Sequence, residues 1–194
     1  MGSYTVIADV GQGIVNLLRR HMVPEVLQKE EQIGLCSPKE TGEYRLGVYL
    51  FDMQESEGIR NEPKRWVGEE TRVYPSMYLD LYYMLVPYSR SDLKYRLAEE
   101  HRILGRTLQI LRDFPSLNKT TYEEEVSGSD QIQIEILDMS YEDKNRIWNG
   151  LNEESRNAIY CKVSGVELES RRKQNVKRIR EVQLQIDEGG SIYG

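Results

Sequence analysis

From residue 5 to residue 22 the apolar residues Ile7, Val10, Ile14, Leu17, Leu18 and Met22 recur at three- and four-residue intervals. That spacing lines one face of a helix, which Pro24 limits. Residues 43–53 alternate instead, with Tyr44, Leu46, Val48 and Leu50 set against Arg45, Gly47, Tyr49 and Phe51. Both faces carry apolar groups, the pattern of a central strand. A short apolar patch at 33–36 precedes it. The strongest apolar run, Tyr78 to Val86, predicts a further strand and holds one acid, Asp80. Ser89 with Asp92 fits a capping box. It opens a helix from Leu93 to Phe114, closed by Pro115, on which Leu93, Leu97, Leu104, Leu108 and Leu111, with Ile103 and Ile110, form a wide apolar stripe. Ile132, Ile134 and Ile136 alternate with Gln133 and Glu135 as in a half-buried strand. Ser140 with Asp143 caps a short helix holding Ile147, Trp148 and Leu151, and residues 158–168 predict a last strand through Val163, Val166 and Leu168.

The order helix, strands, helix, strand, helix, strand predicts an α+β fold: a mainly antiparallel mixed sheet flanked by helices. Two polar stretches interrupt it. Residues 54–77, with Gly58, Pro63, Gly68 and Pro75 among many charges, predict a loop far longer than usual, a length that marks functional loops. Residues 118–130 carry Glu123-Glu-Glu125 and Ser127-Gly-Ser129 and predict a solvated loop.

The last stretch breaks the charge pattern. Residues 171–194 hold six basic residues, Arg171, Arg172, Lys173, Lys177, Arg178 and Arg180, against three acidic ones. That net of +3, in a chain of net −6, leaves −9 on residues 1–170. Val182, Leu184 and Ile186 then alternate with Gln183, Gln185 and Asp187, the pattern of a strand with one buried side. The expected organisation is therefore a domain over 1–170 and a C-terminal arm over 171–194, basic first and then strand-forming. A strand lying beyond its domain needs a partner.

Length and composition set outer limits. A chain of 194 residues with 39% hydrophobic content fits one domain of ordinary size. Its acidic balance, with a pI near 5.2, argues against nucleic acid as a partner. No apolar run approaches the roughly 18 residues that span a bilayer. The start, Met1-Gly-Ser-Tyr-Thr-Val, has no basic segment followed by an apolar one, so synthesis in the cytoplasm without a membrane partner is the expectation.

Catalytic chemistry is sparsely provided for. The two cysteines, Cys36 and Cys161, lie far apart without a CxxC spacing, and no cofactor or metal is expected. Gly11-Gln-Gly13 lacks the third glycine of a dinucleotide loop and sits in a helical pattern, as a place where another backbone comes close. With only His21 and His101 available as imidazole bases, the one enzyme reading rests on Asp80 with His101. A structural role for Asp80, paired with an Arg or a backbone amide, is favoured over it, since a carboxylate inside an apolar strand must find a donor.

Several strings in order carry a resemblance: Arg45-Leu-Gly-Val-Tyr-Leu-Phe51, Glu57-Gly-Ile-Arg-Asn61, Leu79-Asp-Leu-Tyr-Tyr-Met-Leu85, Ile103-Leu-Gly105, Asn145-Arg-Ile-Trp148 and Tyr160. Over residues 4–168 the chain resembles the tail-terminator, or cap, proteins of extracellular contractile injection systems of the antifeeding-prophage type, which are similar to contractile phage tail terminators. The resemblance implies a non-catalytic α+β subunit that forms a homo-oligomeric, six-fold ring on the end of an inner tube and sheath, with sheath and tube proteins as partners, in a particle assembled in the cytoplasm and released outside the cell. It leaves open the terminator of a DNA-containing phage tail. On that basis the arm is expected to bind a neighbouring cap or sheath subunit. Val182, Leu184 and Ile186 would add to an exposed sheet edge while Arg171, Arg172, Lys173, Lys177, Arg178 and Arg180 set its orientation. Arg60, Lys64, Arg65 and Trp66 of the long loop are expected to contact the tube or the adjacent subunit.

Overall fold

The computed structural model describes residues 4–56, 65–67, 71–118 and 131–175. In chain order the elements are α1 (Val6–Met22), a 3-10 turn (Glu30–Gln32), β1 (Ile33–Leu35), β2 (Leu46–Glu55), β3 (Arg65–Val67), β4 (Thr71–Val73), β5 (Met77–Pro87), α2 (Leu93–Asp113), β6 (Ser116–Asn118), β7 (Gln131–Ile136), α3 (Tyr141–Leu151), β8 (Ile159–Leu168) and β9 (Lys173–Asn175). They fall into two units, one of Met1–Glu62 with Ser76–Glu169, the other of Pro63–Pro75 with Ser170–Gly194.

In the larger unit the sheet order is β1-β2-β5-β8-β7-β6. β1 runs parallel to β2, and every other pairing is antiparallel. This is the α+β, mainly antiparallel mixed sheet that the patterning predicts. β5 is interior and buries both faces because its side chains alternate across the sheet. Leu79, Leu81, Tyr83 and Leu85 enter the main core, where they meet Val10, Ile14, Leu17 and Leu18 of α1 and Ile103, Ile110 and Leu111 of α2. Met84 and Val86 point the other way and join Trp148 and Tyr160 in a smaller core under α3. Two helices thus cover one face and the third covers part of the other. β8 carries an irregularity opposite Leu79–Leu81, where Gly165 has φ 81°, a left-handed conformation that a side chain would strain.

Three local expectations change. Gly11 is approached by the Leu35 side chain and the Tyr83 hydroxyl, not by a backbone, and a Cβ there would lie 3.1 Å from Leu35. Ser89 does not cap α2, whose N-cap is Asp92 without a side-chain hydrogen bond. The hydroxyls of Ser89 and Ser91 donate to the Glu99 carboxylate instead, which also pairs with Arg45. Burial raises the Glu99 pKa, but those hydroxyls, with the Arg45 and Arg102 charges, outweigh it and hold the carboxyl below the ordinary glutamate value. α3 keeps its predicted cap: the Asp143 N–H donates to Ser140 Oγ at 3.1 Å.

The third change concerns the stripe on α2. Its buried residues are Ile103, Thr107, Ile110 and Leu111, whereas Leu93 is 80% exposed, Leu97 64% and Leu108 41%. Two adjacent stripes had merged into one in the sequence pattern, and only one of them faces the sheet.

Candidate assembly surfaces

The smaller unit is built from parts far apart in sequence. Residues 54–77, read as a loop, hold the hairpin β3–β4, in which Arg65 pairs with Val73 and Val67 with Thr71. β4 then pairs antiparallel with β9, Thr71 with Asn175 and Val73 with Lys173. The Tyr74 N–H donates to the Arg172 carbonyl at 3.2 Å, and the Arg172 guanidinium lies 4.3 Å from the centre of the Tyr74 ring, a cation–π contact that fastens the base of the arm. The long loop and the start of the basic arm, expected to bind partners separately, therefore share one three-stranded sheet.

Of the expected partner residues, Arg65 and Trp66 lie on β3, Lys173 lies on β9, and Arg171 and Arg172 lead into β9 as exposed residues. Arg60, Lys64, Lys177, Arg178, Arg180, Val182, Leu184 and Ile186 lie outside the described residues.

Asp80 and His101 are not brought together. Asp80 belongs to the β5 face that carries Met84 and Val86, while α2, which bears His101, packs on the opposite face. Asp80 Oδ1 accepts the Ser56 hydroxyl, and Lys162 Nζ stands 3.9 Å from Oδ2 and 3.8 Å from Glu135. The acid thus ties the end of β2 to β5, β8 and β7 through a lysine rather than through an Arg or an amide. Among the described residues its side-chain partners are Ser56 and Lys162, and His101 is exposed. Burial pushes the Cys36 thiol up to about 11 and the Cys161 thiol up to about 12, away from the thiolate form.

Sequence reasoning missed a second surface. An open groove of about 710 Å³ runs between α2 and α3, with Leu97, Leu104 and Leu108 along one wall and Tyr141 and Lys144 on the other, completed by Arg156 and the start of β8. Tyr141 is 76% exposed. Lys144 Nζ lies 5.9 Å from the Tyr160 ring and the Arg156 guanidinium 5.7 Å from the Tyr88 ring, and neither has a carboxylate partner among the described residues. The excess width of the α2 stripe was the available signal.

Comparison with known proteins gives the family and relatives of the fold. The family model described as the Pvc16 N-terminal domain matches residues 9–181, which takes in the two units' strands and the first half of the arm. The fold is similar to a cryo-EM structure of the PVC sheath/tube terminator of an extracellular contractile injection system in its extended state, at a TM-score of 0.67 and 15% identity over 96% of this chain and 65% of that one. It is also similar to the tube-terminating cap of the anti-feeding prophage, at a TM-score of 0.62 and 15% identity over 92% of this chain and 61% of that one. This chain therefore spans less than two thirds of the length of either solved protein. No curated protein matches it in sequence.

Proposed function

This chain belongs to the family of the Pvc16 N-terminal domain, and from that premise we propose that it is a cap subunit closing the end of the inner tube and sheath of a contractile injection particle. In this reading copies of the chain join in a ring of six, made in the cytoplasm and carried on the finished particle. Its partners are the tube and sheath proteins, not nucleic acid, and its role is mechanical rather than catalytic.

The observation that carries the proposal is the second unit. A subunit that ends a polymer must offer one surface to the last ring below it and withhold the surface on which a further ring would build. Loops held by a scaffold are the usual binding elements. Here the scaffold is the six-stranded sheet with its helices, and the second unit is the three-stranded sheet made by β3, β4 and β9. The basic residues Arg171, Arg172 and Lys173 enter it at the start of the arm. A net of −9 on residues 1–170 against +3 on residues 171–194 lets the arm of one copy be drawn to the acidic body of the next. Heterologous contacts of this kind close into rings when the rotation permits.

Within this reading Arg65, Trp66 and the adjoining Arg60 and Lys64 face the tube or the neighbouring subunit. Replacing Arg65 and Trp66 together with Ala is expected to weaken tube binding by about tenfold or more, as loss of Trp and Arg anchors does at interfaces. The melting transition of the six-stranded unit stays in place. A sedimentation assay with assembled tubes reads the effect, and tube binding at the level of the unchanged protein would remove the loop from the contact.

A further inference from the structure

The first two turns of α2 are exposed on every side. Asp92 to Ala98 all face solvent, and the buried residues of the helix begin only at Ile103. A helix end with neither packing nor a side-chain cap frays, because most helical stability in proteins comes from the buried face. Here a brace at the base holds it in place. The Ser89 and Ser91 hydroxyls and the Arg45 guanidinium bind the Glu99 carboxylate, the Ser89 N–H donates to Glu100 at 3.1 Å, and Arg90 reaches Glu43 at 2.8 Å. On this braced end Leu93 and Leu97, four residues apart, form an apolar ridge, and the helical turn places Lys94 on one side of it and Arg96 on the other. Both leucines are more than half exposed. Lys94 Nζ lies 4.7 Å from the centre of the Tyr95 ring, and neither cation has a carboxylate partner among the described residues.

The same unit carries a surface of complementary chemistry. Ile136 at the end of β7 and Tyr141 at the start of α3 are exposed, with exposed Asp138 between them and exposed Glu142 after. The neighbouring acids are engaged, Glu135 with Lys162 at 3.8 Å and Asp143 with Arg146 at 3.2 Å, whereas Asp138 and Glu142 have no cationic partner among the described residues. Lys144, the next cation along α3, lies against the Tyr160 ring. Exposed Met53 is not an equivalent receiver, since the Asp52 carboxylate beside it already accepts the Met53 N–H at 2.9 Å and the Gln54 amide at 3.0 Å. Within one copy the two surfaces are held apart, because Leu97 and Tyr141 stand on facing walls of the open groove between α2 and α3. A second copy brings them together.

We propose that the first two turns of α2 in one copy dock on the β7–α3 surface of a second copy. Leu93 and Leu97 pack against Ile136 and Tyr141, while Lys94 and Arg96 meet Asp138 and Glu142. Charges placed in this way fix the register of a contact and reject the arrangement in which two basic α2 ends face each other. The two surfaces differ, so each copy offers one of each, and contacts between unlike surfaces close into rings where the rotation permits. This deepens the reading of the chain as a self-assembling subunit and rests on it.

The test uses the full chain with a photo-crosslinking benzoylphenylalanine in place of Leu93, as a mixture of isotopically light and heavy copies. On illumination the expected product joins position 93 of one copy to the peptide holding residues 136–141 of another, seen as mixed-isotope pairs by mass spectrometry. In parallel, Lys94→Glu with Arg96→Glu, and separately Asp138→Lys with Glu142→Lys, each weaken self-association by about tenfold in sedimentation. The four changes together restore it. All four positions are exposed, so unchanged melting curves serve as the folding control. Asp138→Asn with Glu142→Gln removes the two charges without placing lysine in the first turn of α3, and weakens association in the same direction. Crosslinks to any other segment of a neighbour overturn the docking assignment, as does a quadruple variant no stronger than either pair. Self-association indifferent to both charge reversals overturns it too, and leaves the self-assembling subunit standing. A full chain that stays monomeric at every concentration, with no crosslink between copies, overturns both.

Discussion

Removing residues 171–194 is expected to leave a folded subunit that, if it is a cap as proposed, is no longer held on particles. Every described residue of the two cores of the larger unit lies at or before Leu168, and among the described residues β9 pairs with Thr71–Val73 of β4. The cooperative melt of the six-stranded unit, followed by circular dichroism, is expected at its original temperature. What goes is the third strand of the small sheet, the Arg172–Tyr74 contact that fastens the arm, and all six basic residues of the tail. Particles made with the truncated subunit are therefore expected to lack it, by immunoblot of purified particles. A truncated subunit found on particles in the usual amount would show that the arm does not hold it there.

Replacing Trp148 with Ala is expected to lower the unfolding free energy by about 3–5 kcal/mol. The indole is 1% exposed and belongs to a small core whose other fully buried members are Met84, Val86 and Tyr160. Partly buried Phe51, Leu137, Ile147 and Leu151 pack against the same cluster, and how far they close over the space left behind sets the place within that range. The indole N–H also donates to the Tyr160 hydroxyl at 2.9 Å, and its loss strands a buried polar group. Trp148→Phe, which keeps most of the packing and loses the bond, separates the two terms and is expected to cost about 1–3 kcal/mol. Denaturant titration measures both.

The elements with a sustained period were legible in the sequence. α1 repeats its apolar residues over 17 positions, β5 and β8 run for 11 and 10, and α3 announces its start through Ser140 and Asp143. The three-residue strands β1, β3 and β4 were not, because so short a segment has no period to detect and owes its conformation to the strand beside it. Ser89 misled for a different reason. Its hydroxyl fits a cap locally, but Glu99, ten residues on, offers it a charged acceptor. The stripe on α2 shows the limit of periodicity: it tells which residues share a face and not what covers that face. Of the assembly surfaces, the arm and the long loop stood out by charge and length. That β4 and β9 pair across about a hundred residues is a long-range fact that neither segment carries alone, and the groove appeared only once Leu97 and Leu108 were seen to lie outside the core. The structural role favoured for Asp80 was legible, but its partners are Ser56 and Lys162 rather than an Arg or a backbone amide.

The central claim, that this protein closes the end of a contractile particle, is tested most directly by electron microscopy of particles assembled with and without it. With the protein present, one end of each particle carries a ring of extra density and the tubes share one length. Without it, that density is missing and tube lengths scatter, because nothing stops addition at the open end. Particles of uniform length with unchanged ends in its absence would contradict the account.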